Sequence, residues 1–383
     1  MNSRAALRLI AKVLAMAGAV LGLAIILGYV ASADFRFVLR ASMEEARFFL
    51  RRRPLAQLIA DPRTPAARRS RFLEVLAARR FGADSLGLAV GGTYTTFVDV
   101  GRDTLVLVLS ASPRFQLVDF TWWFPVVGAV PYHGYFSLAE ARKESGRLEL
   151  TGRDTYLRPA AAFSTLGWFS DPLFSTVLSR DTVQLVETVL HEVTHNTLWV
   201  PSSVAFNESL AMFMGFHGAE RFFRSRGSVG AAEQTRARWE DEKTLATFER
   251  GLASALDSLY RSDATADAKQ AGREQILRQA RQTMAGPLRR ELRVYPVDWM
   301  LTQPLNNATV LAALVYHTRL DLFDRVLDAK AGDLRSALAD IKSALRRGDR
   351  RDPYGALERL LDSLTRPSGP ASLRGAGNPP GDR

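Results

Sequence analysis

Apolar residues recur at three-to-four-residue spacing over 35–60 and 65–82, which predicts helices there, broken at Pro54, Pro62 and Pro65. From Leu86 to about Phe136 the texture changes. The runs Thr93 to Val100, Thr104 to Ser110 and Phe115 to Phe124 are rich in Thr, Val, Phe, Tyr and Trp. Gly91-Gly92, Gly101-Arg102-Asp103 and Pro113 punctuate them, and together they predict short strands of a small sheet. A short helix at 137–146 and an irregular stretch to about 180 follow, after which helical periodicity dominates to about residue 365. The last 17 residues, Pro367 to Arg383, are rich in Gly, Pro and Ser and are expected to be a disordered tail. No linker separates sheet from helices. The expected fold class is α+β: one mainly helical unit over 34–366 with a small sheet in its N-terminal half.

One further pattern stands ahead of that unit. Val13 to Ala33 is a run of 21 uncharged residues, preceded by Arg4, Arg8 and Lys12 and followed by Asp34. As a helix it would be about 31 Å long, the thickness of a bilayer core. The expectation is one transmembrane helix over 1–33, with the basic end in the cytoplasm and the rest of the chain outside. This implies a single-pass protein with its bulk on the outer side, which in a bacterium would be the inner membrane and its periplasmic side. The alternative is a cleaved signal peptide ending at Ala31-Ser32-Ala33.

Composition narrows the chemistry. With 383 residues and 47% hydrophobic residues the chain can bury a full core. It has no cysteine, so disulfides, cysteine nucleophiles and thiolate metal sites are excluded. The net charge of +11 is scattered as short arginine runs without interleaved aromatics, so no nucleic-acid partner is expected. There are five histidines (His133, His191, His195, His217 and His317), and any clustering among them is informative.

Two of them form His191-Glu192-Val193-Thr194-His195. On a helix, positions i and i+4 share a face, so both imidazoles reach one ion. The flanks predict that helix: Asp181 and Gln184 make a capping box, and Val183, Val186, Leu190 and Val193 form an inward stripe running to about Leu198. A tetrahedral catalytic zinc needs a third protein ligand and one open position. The metzincin spacing would place Gly and His at Leu198 and Pro201, so that class is excluded. If the chain turns back through Val200-Pro201-Ser202-Ser203, the midpoint of 195 and 208 falls at 201.5, and Glu208 stands opposite His195. His217 lies nine positions further on, half a turn away, on the other side of that helix.

The roles then follow. His191, His195 and Glu208 hold Zn2+, and Glu192 is the general base. Glu187, one turn before His191, reads as an exposed surface carboxylate, or else as an acceptor for an imidazole N–H. The oxyanion donor is to be sought among Tyr132, His133, Tyr135, Tyr316 and His317. Tyr316 is carried forward as the catalytic candidate, and His133 and Tyr135 as substrate-binding candidates. Such a site hydrolyses peptide bonds. The alternative function is a non-catalytic envelope protein with a structural zinc-bound helix pair. Oligomeric state is not legible.

The helix pair, with Gly92-Thr93-Tyr94-Thr95-Thr96-Phe97-Val98-Asp99, Tyr132-His133-Gly134-Tyr135-Phe136, Ser164 to Pro172 and Asn306-Asn307-Ala308, resembles the putative bacterial aminopeptidase family of envelope proteins. The resemblance spans roughly 35–330. It implies a gluzincin-like zinc peptidase with ligands His191, His195 and Glu208 and base Glu192. An aminopeptidase also needs a carboxylate for the substrate α-amine. Asp171 and Asp99 are the candidates in the matching blocks, and Asp171, in a turn before the zinc helix, is the better placed.

Overall fold

The computed structural model describes residues 51–124, 128–160, 170–349 and 351–366, with scattered positions between 12 and 50. The expected disordered tail at 367–383 lies outside the described residues. In chain order the elements begin with β1 (Arg53–Pro54), α1 (Leu55–Ala60), α2 (Ala66–Asp84), β2 (Thr96–Val98) and β3 (Val106–Pro113). There follow β4 (Trp122–Phe124), β5 (Gly128–Val130), β6 (Tyr132–Tyr135), α3 (Leu138–Leu150), β7 (Arg153–Ala160) and β8 (Leu173–Phe174). Helices α4 (Ser175–Leu178), α5 (Thr182–Thr197), α6 (Val204–Ser225), α7 (Val229–Arg261) and α8 (Ala266–Thr283) come next. A π turn at Met284–Leu288 leads to α9 (Arg289–Glu291), α10 (Val297–Thr302), α11 (Asn307–Leu314), α12 (Leu320–Ala329), α13 (Leu334–Arg347) and α14 (Pro353–Thr365).

The chain is mostly helical with small sheets. The expected transmembrane helix, however, requires correction. No helix among the described residues is long and apolar enough to cross a membrane. An uncharged run spans a bilayer only as one continuous helix of about 20 residues. Between 13 and 33 the described helical positions are 13, 15–20, 22, 23, 27 and 30, and the remainder lies outside the described residues. The single-pass inner-membrane placement, with its periplasmic side, rested on that segment and falls with it.

Strand β2 pairs antiparallel with β1 and parallel with β8, while β3 pairs antiparallel with both β6 and β7. The stretch read as irregular therefore contains β7, matched to β3 from Val106↔Ala160 to Pro113↔Arg153. Register sets the faces, because neighbours directly opposite share one. Tyr132 opposite Ser110 opposite Tyr156, with Arg158 opposite Val108, makes one face. His133 opposite Leu109 opposite Leu157, with Tyr135 opposite Leu107, makes the other. That second face packs on α3 through Leu109, Ala111 and Leu148.

The main core lies between α2, α5, α6 and the C-terminal helices α12 to α14. Val186, Val189, Leu190 and Val193 of α5 are fully buried, each contributing about 1.5–3 kcal/mol. Helix α6 approaches α5 closely because it carries Gly215 and Gly218 on that side. A Cβ on Gly215 would lie 3.0 Å from the Glu187 carbonyl oxygen and 3.4 Å from His191 Cβ, and one on Gly218 would lie 2.8 Å from Leu86 Cδ1.

Candidate active site

Helix α5 begins where its cap predicts: Asp181 Oδ1 accepts from the Gln184 N–H at 2.8 Å. The inward valines and leucines fix its rotation, and this turns His191 and His195 together. Their Nε2 atoms are 3.2 Å apart. The chain reverses at Val200–Ser203, with Ser202 left-handed at φ 60°. Buried Asn207 closes the turn by accepting from the Val200 N–H and donating to the Val200 carbonyl, both at 2.8 Å. Glu208 follows Asn207 directly, so its position is set by this clasp. Its Oε2 lies 3.2 Å from His191 Nε2 and its Oε1 lies 3.7 Å from His195 Nε2.

These three ligand atoms lie within 4.8 Å of one another and could hold a metal ion. In a tetrahedron with bonds of about 2.0–2.1 Å, ligand atoms are about 3.3 Å apart, so the three separations suit zinc. Two imidazole nitrogens facing each other across 3.2 Å share an N–H, or, with both lone pairs free, a common cation, and the N, N, O donor set is one zinc accepts. Burial, aided by the neighbouring His191, pushes His195 down to about 4, leaving it in the neutral form that ligates.

Glu192 follows His191 in the same buried site. Burial pushes its carboxyl up to about 7, with the charges of Glu208 and Asp171 adding to the rise and His191 opposing it. Asp171 reaches this neighbourhood through the β2–β8 pairing. Its carbonyl accepts from the Tyr94 N–H at 2.8 Å, and Asn196 of α5 donates to Thr93 Oγ1 at 2.8 Å. Tyr94, fully buried, takes a left-handed backbone at φ 57°, a conformation that costs energy for a non-glycine residue and collects at functional sites.

The other candidates divide by sheet face. Tyr132 shares the Arg158 face, and its phenol is pushed up by burial and by the Glu208 charge. Tyr316, beyond α11, meets the same group: the Arg158 guanidinium carbon lies 5.7 Å from its ring centroid, and its phenol is pushed up by burial and by the Glu208 charge. His133 and Tyr135 lie on the opposite face, their rings stacked at 4.4 Å, with Trp122 edge-on to His133. The structure therefore does not bring these two together with the metal ligands. His317 is held between Glu249 at 2.5 Å and Glu242 at 2.7 Å, and His217 faces Asp324 at 2.9 Å. Asp99 is exposed and paired with Arg68 at 3.4 Å. Glu187 is neither exposed nor an imidazole partner: α7 covers it, and Arg238 pairs with it at 3.0 Å.

Arg158, Tyr94 and Asn207 were missed by sequence reasoning. Asn207 is the one with a local signal, an amide beside the expected ligand at a helix start. The family model described as "Putative aminopeptidase" matches residues 36–352. The chain belongs to this family. No curated protein and no solved structure matches the chain.

Proposed function

We propose that this member of the family is a zinc-dependent aminopeptidase of gluzincin type. The observation that carries the reading is the convergence of His191 Nε2 and His195 Nε2, on the helix that also carries Glu192, with the Glu208 carboxylate of α6, all within 4.8 Å. Bound there, zinc supplies a Lewis acid and lowers the pKa of a bound water toward about 7. Three converging protein donors leave a position open, whereas structural zinc sites close with four, which favours catalysis over the structural alternative.

The chain's own groups supply the rest. The Glu192 carboxylate takes the proton of the attacking water and delivers it to the leaving nitrogen as the C–N bond breaks. Tyr316 is the oxyanion donor: burial and the Glu208 charge push its phenol up, so its O–H proton is kept for the developing negative charge. Asp171 binds the substrate α-amine. The test is metal analysis of the purified protein with a peptide-library digest read by mass spectrometry. One zinc per chain and release of N-terminal residues are expected, and a metal-free protein that gains no activity on adding zinc would overturn the reading.

A further inference from the structure

Two buried arginines in the molecule are met by acids: Arg238 by Glu187 at 3.0 Å and Arg273 by Asp154 at 2.5 Å. Arg158 differs. Among the described residues no carboxylate lies within ion-pair distance of it. It lies over the Tyr316 ring, whose centroid is 5.7 Å from the guanidinium carbon. Its Nε is shielded from solvent and has no hydrogen-bond partner. A guanidinium keeps its charge in any protein setting, so among the described residues this half-buried cation has no anion of the protein's own. The Tyr316 backbone carbonyl accepts from Ser209 Oγ at 3.2 Å, which ties this group to the residue directly after Glu208.

Arg158 also lines a cavity of about 250 Å³. Tyr156 and Tyr316 stand in the lining with it, and much of the remaining wall is apolar, from Leu252, Met284, Trp299 and Val310. The one carboxylate in the wall, Glu249, is engaged by His317 at 2.5 Å. The volume falls just below the ~300–1,000 Å³ of sites that enclose a whole small molecule, and so suits one residue rather than a long peptide. An unpaired guanidinium in an apolar cavity, beside a metal-binding carboxylate, complements a group that is anionic at one end and apolar at the other.

We propose that Arg158 binds the α-carboxylate of a peptide's C-terminal residue while the cavity takes that residue's large apolar side chain. The substrates are then short peptides cut one residue before their C-terminus, and, with an α-amine anchor on the Glu192 side, dipeptides above all. This rests on the peptidase reading of the site.

Calorimetric binding of 3-phenylpropanoate and 3-phenylpropanamide to the zinc-loaded full chain tests the recognition without turnover. The acid should bind at least tenfold more tightly than the amide. Arg158→Gln should abolish that difference, and Ala313→Phe, which fills the cavity, should abolish binding of the acid. Equal binding of acid and amide, no binding of either, or acid binding that survives Arg158→Gln because the carboxylate sits on the metal would overturn the proposal. If Arg158→Gln fails to fold, the wild-type acid–amide comparison and Ala313→Phe decide. Hydrolysis of Leu-Phe against its C-terminal amide separates the two readings, with the free acid expected to show at least tenfold higher kcat/KM. Arg158-dependent binding without cleavage of either peptide would sink the peptidase reading alone. Equal cleavage of both, with no acid binding, would sink the carboxylate site alone.

Discussion

His191 Nε2 and Glu208 Oε2 stand 3.2 Å apart although they belong to different helices. Two features make the meeting possible. Asn207 clasps Val200 from both sides and so fixes where α6 starts, and Gly215 lets α6 lie close against the His191 turn of α5. The ligand geometry is thus a property of the hairpin's packing, and each part of it can be perturbed separately.

The first perturbation divides binding from chemistry. His191→Ala, His195→Ala and Glu208→Ala each remove a converging donor and should weaken zinc binding by more than the 10–100-fold that changes around a ligand cost. Glu192→Gln keeps all three donors and removes the proton carrier. It should retain zinc and lose about 10²–10⁴-fold in kcat. Metal analysis beside steady-state kinetics reads both. Full zinc affinity in Glu208→Ala would show that the third ligand lies elsewhere.

Gly215→Ala tests the close approach. The added methyl meets the Glu187 carbonyl oxygen at 3.0 Å, and backbone yields less readily than a side-chain tip. Although alanine is the better helix former, overpacking should prevail, with a net loss of about 1–3 kcal/mol and weaker zinc binding. Gly251→Ala is the control, since a Cβ there meets nothing within 4 Å. It should gain about 0.5–1 kcal/mol in urea denaturation and leave zinc affinity unchanged.

How much of this was legible in the sequence follows from how local each signal is. The α5–α6 hairpin was legible because the Asp181 cap, the apolar stripe and a four-residue loop act over neighbouring residues. Arg158 was not, because β7 reads Arg-Asp-Thr-Tyr-Leu-Arg-Pro-Ala, with charges at positions on both faces. Asp154 of that strand is buried among distant partners, with Arg273 arriving from α8 and the Asn307 N–H from α11. The contrast between Tyr132 and His133 turns on a single residue of register against β3, which no local pattern specifies. At the N-terminus the expectation rests on composition, an uncharged run, whereas no helix among the described residues is long and apolar enough to cross a membrane.

His317 supplies a pH dependence of stability away from the metal. The two flanking carboxylates, Glu249 and Glu242, outweigh burial and push its imidazole up to about 10. Since the folded-state value lies above the unfolded value of about 6.5, the stabilisation is fully present below pH 6.5 and is lost as pH rises towards 10. His317→Gln should cost about 3–5 kcal/mol at pH 6, because it leaves two carboxylates buried without a cation. Urea denaturation between pH 6 and pH 10 should show the wild type losing stability relative to the variant. A constant difference between them would refute the assignment.

The last prediction concerns the amine end of the substrate. The β2–β8 pairing brings Asp171 beside Tyr94, and Thr93, hydrogen-bonded to Asn196, ties the same segment to the end of α5 that carries His195. The Asp171 charge is felt at Glu192, so the two carboxylates share one side of the site. A protonated α-amine placed there would relieve their repulsion, and an acetylated one would bring bulk and no charge. A charge-assisted hydrogen bond of about 1.5–3 kcal/mol corresponds to roughly 10–150-fold in kcat/KM. A free peptide should therefore be cleaved faster than its N-acetylated twin by that factor. Asp171→Asn should remove the preference while zinc content stays constant, which separates loss of amine binding from collapse of the metal site. Equal cleavage of the two peptides by the wild type would instead mark an endopeptidase, with Asp171 serving only to shape the turn before β8.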